Sequence, residues 1–263
     1  REQNLRPYKL DRHLIRFKTQ EETLSNMQVF SWCEAKKQDR ILLYLHGGAF
    51  ISPPLSPHFL FANRLSKSAN ARVYLPIYKK IPDFNYKICL DELLSLYREI
   101  LRRHQDKEIS LVGDSAGASL CLSLLQRIKD ADIKKPKCCF CLSPWLDLSM
   151  ENKEIPSLEK IDPSLSSWGL RKLGEIWSKG DLKNPLASPL FGDYVGCSNI
   201  HIFVGTREIF LPDCLEFDRL LGEQGVYHSL SIAKNMYHVY PLFPVPEAKK
   251  VIKFISKAML SKS

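Results

Sequence analysis

The sequence predicts an α/β fold with a mainly parallel central sheet, helices on both faces and a small helical cap. Three observations predict it. Short apolar, β-rich runs alternate with helical stretches along most of the 263 residues, which implies a mainly parallel sheet covered on both sides. Residues 149–190 break that rhythm with Pro156, Pro163, Pro185, Pro189, Trp168 and Trp177, and read as an inserted helical cap. Between one strand and its helix stands Gly113-Asp114-Ser115-Ala116-Gly117, a serine in a sharp, glycine-flanked turn at the carboxyl end of a strand.

Residues 1–26 are polar, with one amphipathic patch at Leu10 to Phe17, and read as an N-terminal arm or lid. Met27 to Ala35 and Arg40 to Leu45 are β-rich and separated by Lys36-Lys37-Gln38-Asp39, a hairpin signal. Pro57 to Ala69 reads as a helix and Ala71 to Tyr78 as a buried strand. Tyr86 to Arg103 carries Leu93, Leu94, Tyr97, Ile100 and Leu101 close to a helical stripe. The strand Ile109 to Val112 and the helix Ala118 to Ile128 flank the serine turn. Lys137 to Leu142 is a strand that ends in Ser143-Pro144-Trp145-Leu146-Asp147. After the insertion come the strand Ile200 to Val204, the helix Pro212 to Gln224, the strand His228 to Ala233 and the helix Glu247 to Leu260. Residues 27–148 and 191–263 together form the core domain.

Composition is ordinary for a globular chain, 44% hydrophobic and 25% charged. The net charge of +9 comes from 38 basic and 29 acidic residues, with lysines clustered at Lys36-Lys37, Lys129 to Lys137 and Lys249 to Lys257. No aromatic-basic interleaving accompanies the charge, so solvated surfaces explain it better than nucleic acid does. The eight cysteines are scattered, and Cys138-Cys139-Phe140-Cys141 lies in an apolar run that reads as a buried strand, where cysteine packs as a small hydrophobe, which points to reduced thiols and a cytoplasmic home. No 18-residue apolar stretch exists, so no stable membrane insertion is expected.

A serine hydroxyl needs a base within hydrogen-bond reach, and the base needs an orienting carboxylate. His238, in the loop after the last strand, is the candidate base, because imidazole both takes and returns a proton near neutrality. Glu208, in Gly205-Thr206-Arg207-Glu208 just past a strand, is the favoured acid. Asp213 is its rival, although Pro212-Asp213 sits at a helix start where a carboxylate caps free N–H groups. His13, His104, His201 and His228 lie in poorer places, and His58, at the start of the first helix, is a candidate for the pocket lining. An oxyanion site needs convergent N–H donors. Gly47, Gly48 and Ala49 of His46-Gly47-Gly48-Ala49-Phe50 supply them with Ala116, while His46 braces the loop.

These motifs, with Ser143 to Ser149, Asn184-Pro185-Leu186-Ala187-Ser188-Pro189-Leu190 and Gly205 to Asp213, resemble the hormone-sensitive-lipase-like branch of the α/β-hydrolase superfamily. The likeness runs from about residue 27 to the C-terminus. It implies hydrolysis of small to medium acyl esters, with Ser115 as nucleophile, Glu208 as acid, His238 as base and no cofactor. It also implies a cap built from the N-terminal arm and the segment after Trp145. Three departures stand out. Ala49 replaces a frequent third glycine, Glu208 replaces a frequent aspartate, and Tyr78-Lys79-Lys80-Ile81-Pro82-Asp83 replaces a Tyr-Arg-Leu-Ala-Pro-Glu stretch. The partner expected is a small-molecule ester, and a homo-oligomer is left open. An amidase or acyltransferase on the same three residues, or a non-catalytic small-molecule receptor, are the alternative readings.

Overall fold

The computed structural model describes residues 4, 6–34 and 40–261. Eight strands among them form one sheet in the order β1-β2-β4-β3-β5-β6-β7-β8. From β4 (Ala71–Ile77) through β3 (Arg40–Leu45), β5 (Glu108–Asp114), β6 (Cys139–Leu142), β7 (Ser198–Gly205) and β8 (Tyr227–Ala233), every pairing is parallel. Parallel neighbours need crossovers, and helices supply them. α1 (Ser56–Ala69) and α7 (Pro246–Leu260) cover one face with Phe59, Phe61, Leu65, Val251 and Ile255. α2 (Tyr86–Arg103), α3 (Ala116–Asp130) and α6 (Leu211–Glu223) cover the other with Leu93, Tyr97, Leu122, Phe217 and Leu221. Along β3 the side chains divide accordingly: Ile41, Leu43 and Leu45 face the second layer, and Leu42 and Tyr44 the first.

The hairpin expected across Lys36-Lys37-Gln38-Asp39 does not form. β4 lies between β2 (Met27–Trp32) and β3, antiparallel to the former and parallel to the latter. Residues 35–39 lie outside the described residues. The hairpin instead joins β1 (Gln20–Leu24) to β2, turning at Ser25 and Asn26 with φ of 48° and 59°. Positive φ at both central residues suits the twist of an antiparallel pair. Residues 20–24, expected within the arm, are therefore an edge strand of the sheet, and their polar sequence QEETL fits an edge. Earlier in the arm, Tyr8 stacks on Phe59 at 5.9 Å, and Phe17 packs on Trp32 at 5.2 Å.

Residues 149–190 hold α4 (Ile155–Glu159) and α5 (Ser167–Ser178). No helix among the described residues is long and apolar enough to cross a membrane.

Candidate active site

The carboxyl ends of β3, β5, β6, β7 and β8 converge on Ser115. The serine itself sits at φ 53°, ψ −124°, a conformation that costs a non-glycine residue energy and is stored where a strand turns abruptly into a helix. The turn is held from below: Ser115 N–H donates to the Leu142 carbonyl at 2.8 Å. Its tightness explains Gly117. A Cβ there would collide with the carbonyl oxygens of Leu45 and His46.

Asp114 points away from the reaction side. Its Oδ1 accepts from the Tyr44 hydroxyl at 2.6 Å, and its Oδ2 lies 3.4 Å from His58 Nε2. Burial alone would raise the Asp114 pKa, but His58 and the Tyr44 hydrogen bond outweigh it and hold the carboxyl below its usual range. His58, expected as a lining residue, thus faces the carboxylate behind the serine turn.

The loop after β3 places its backbone beside Ser115. His46 Nδ1 donates to the Gly47 carbonyl at 2.6 Å, its ring stacks on Tyr78 at 4.3 Å, and its own carbonyl accepts from the Tyr78 hydroxyl at 2.7 Å. Burial, with His58 and Lys80 nearby, pushes the His46 pKa well below neutrality. A neutral, fully packed imidazole braces a loop rather than shuttling protons. Among the described residues, no protein acceptor takes the N–H of Gly48, Ala49 or Ala116. Ala49 and Phe50 both adopt left-handed backbone, φ 51° and 59°, so the position where glycine is frequent keeps glycine-like geometry at a strain cost.

His238 Nε2 lies 3.0 Å from Ser115 Oγ, and His238 Nδ1 lies 2.9 Å from Glu208 Oε2. Glu208 Oε1 accepts from Ser143 Oγ at 2.9 Å and from Gly205 N–H at 2.5 Å. Ser115, Glu208 and His238 are 7%, 0% and 8% exposed, so this line of groups is screened from bulk water. The acid-bearing loop and the histidine loop are joined directly: Arg207 N–H donates to the Met236 carbonyl at 2.9 Å, and Asn235 N–H to Thr206 Oγ1 at 2.8 Å. Gly205 permits the approach, since a Cβ there would collide with the Met236 carbonyl oxygen.

Asp213 does not reach the histidine. Its Oδ1 accepts from Asn152 at 2.9 Å, and its Oδ2 is buried without a partner among the described residues. Burial, with Asp147 and Glu216 nearby, pushes its pKa up to about 7.

Sequence reasoning assigned no role to Ser143 or Phe210. Ser143, at φ 46°, donates to Glu208 and accepts from Val239 N–H at 3.0 Å, which ties acid loop to histidine loop. Its signal was the Ser-Pro-Trp string at the end of β6. Phe210 meets the His238 ring edge-on at 5.1 Å and begins an aromatic series. Trp145 stacks on Phe210 at 6.2 Å, Phe50 on Trp145 at 5.5 Å, and Trp177 of α5 on Phe50 at 4.2 Å with the planes 4° apart.

A family model described as the alpha/beta hydrolase fold matches residues 42–242. The chain belongs to the α/β-hydrolase family. An acetyl-hydrolase of Streptomyces hygroscopicus is 30% identical to this α/β hydrolase over 226 residues, spanning 84% of this chain and 76% of that protein. An esterase of Acinetobacter venetianus is 27% identical over 223 residues, spanning 83% and 74%. A Staphylococcus aureus structure described as a candidate esterase covers 99% of this chain and 90% of its own, with TM-score 0.94 and 27% identity. A hormone-sensitive lipase from a metagenome library gives TM-score 0.87 at 26% identity, covering 92% and 84%. This α/β hydrolase is an esterase/lipase-type enzyme of the hormone-sensitive-lipase-like branch.

Proposed function

We propose that this α/β hydrolase cleaves small to medium acyl esters through a Ser115-His238-Glu208 relay and an acyl-enzyme intermediate. The observation that carries the reading is the unbroken line from Glu208 Oε2 through His238 to Ser115 Oγ, with contacts of 2.9 Å and 3.0 Å.

Ser115 Oγ attacks the ester carbonyl while His238 Nε2 takes its proton. The carbonyl oxygen gains negative charge and is met by the N–H groups of Gly47, Gly48, Ala49 and Ala116. The tetrahedral adduct collapses, the acyl–oxygen bond breaks, and His238 returns the proton to the departing alcohol. Water, deprotonated by His238, then attacks the acyl-Ser115 ester and frees the acid. Glu208 holds the proton on Nδ1, leaving Nε2 to act as base, and stabilises the imidazolium that forms. Residues 149–190 act as the cap, with Trp177 over Phe50 closing the site against water and long substrates. A small-molecule ester is the partner, and a cytoplasmic location is the setting that the scattered cysteines favour.

Ser115→Ala tests this directly. Hydrolysis of p-nitrophenyl acetate is expected to fall by about 10³-fold or more with the melting temperature retained. Retention of most of the turnover removes Ser115 from the mechanism. Matched p-nitrophenyl ester and p-nitroanilide substrates separate an esterase from an amidase, the ester being the one turned over.

A further inference from the structure

Two of the three lysine clusters in the sequence meet at one place. A cavity of about 780 Å³ opens at the amino ends of β5, β6 and β7, with Lys134, Lys135, Tyr227, Phe254, Lys257 and His201 in its walls. It lies at the opposite end of the sheet from Ser115. Seven residues of β5 separate the two ends, roughly 20 Å at about 3.3 Å per strand residue.

The electrostatics are one-sided. Among the described residues lining it, Glu108 alone is acidic, and it pairs with Lys137 at 2.7 Å. Lys134 and Lys135 donate to the carbonyls of Lys107 and Gly196, and neither forms an ion pair with a carboxylate among the described residues. Lys257 forms no ion pair among the described residues. Three positive charges therefore share one concavity. Its walls also present rings: Tyr227 is 68% exposed and Phe254 37% exposed. His201 is buried between Phe140, stacked at 5.2 Å, and Phe254, edge-on at 5.1 Å. Its Nδ1 pairs with Ser229 Oγ at 2.8 Å, and its Nε2 has no partner among the described residues. Burial, with His228 nearby, pushes the His201 pKa down to about 4, so the ring is neutral at physiological pH.

We infer that this cavity binds an aromatic phosphate of the mononucleotide kind, with lysine ammonium groups on the phosphate, Tyr227 and Phe254 against the ring, and His201 Nε2 on a polar edge of that ring. A phosphate monoester carries about −1.5 to −2 charges at pH 7 and suits several point-charge ammonium groups. Flat rings stack on exposed aromatic side chains without demanding a particular base. The site is separate from ester hydrolysis and stands or falls independently of it.

Isothermal titration of the full chain at low ionic strength, with adenosine 5′-monophosphate, adenosine and inorganic phosphate in turn, tests the inference. The monophosphate is expected to bind about tenfold tighter than either part alone. The double variant Lys135→Glu/Lys257→Glu should weaken it about tenfold or more and hydrolyse p-nitrophenyl acetate at the wild-type rate. Tyr227→Ala should erase the preference over inorganic phosphate, and Ser115→Ala should bind as the wild type does. Absence of binding, equal affinity for phosphate alone, or loss of binding in Ser115→Ala overturns it.

Discussion

The Ser115 end of the sheet and residues 149–190 are held in place by opposite means. At the sheet end, backbone fit decides. Ser115 is forced into a strained turn, and Gly117 and Gly205 stand where no side chain would fit. In the insertion, side chains from remote parts of the chain decide. Trp177 stacks on Phe50, Asn152 reaches Asp213, and Asp162 accepts from Ile209 N–H at 3.0 Å. Reacting groups placed by local backbone geometry carry short sequence signatures. The contacts of residues 149–190, made pairwise across long separations, have no such local signature for their partners.

If that division is real, the two regions fail differently when altered. The largest effect is expected at Glu208. Glu208→Gln keeps the side-chain volume but removes the charge facing His238 Nδ1, so kcat on p-nitrophenyl acetate should drop by about 10⁴-fold while thermal unfolding changes little. A drop of only a few-fold would blur the comparison. Trp177→Ala should do the reverse. Losing a buried indole costs about 3–5 kcal/mol in denaturant unfolding, acetate turnover stays near wild type, and longer acyl esters gain ground relative to acetate. Unchanged unfolding together with unchanged chain-length preference would show that the Phe50 stack does not hold the insertion.

Asp213 lies at the junction of the two regions. Its folded pKa of about 7 exceeds the unfolded value of about 3.9, so the folded state binds its proton more tightly. The group is without cost below the unfolded value. Its ionisation destabilises the fold progressively from about pH 4 to about pH 7 and by a constant amount above that. Asp213→Asn cannot ionise. Its stability relative to wild type should therefore rise across that window by something on the order of 2–4 kcal/mol and then level off. A difference independent of pH between 4 and 8, measured by thermal melts, would contradict the burial argument. The smallest effect is expected from Ser143→Ala, which deletes one of two hydrogen bonds to Glu208 Oε1. Turnover should fall about tenfold, in line with a buried acceptor losing about 1–3 kcal/mol. Wild-type turnover would assign the acid's orientation to Gly205 N–H alone.

The same division governs what the sequence made legible. The serine turn was readable because a glycine-framed serine between a strand and a helix leaves few other conformations. Glu208 and His238 were readable from their positions just past β7 and β8. Choosing Glu208 over Asp213 rested on loop position, and the fold brings Glu208 rather than Asp213 to the imidazole. Strand pairing was not readable in the first third of the chain. Two β-rich runs joined by a polar linker suggest a hairpin, yet β4, thirty residues farther on, pairs with both. β1 escaped notice because an edge strand has little to bury, and QEETL shows no apolar alternation. The stacking of Trp177 on Phe50 and of Phe210 on Trp145 was not readable, because an aromatic residue does not announce its stacking partner.

Gly205 has a further consequence. Because it lets the turn after β7 rest against the turn after β8, the two are cut to matching size. A one-residue insertion in either alone would pull carboxylate and imidazole out of register, whereas compensating insertions in both could restore it. Among descendants of this chain, these two turns should lengthen and shorten together.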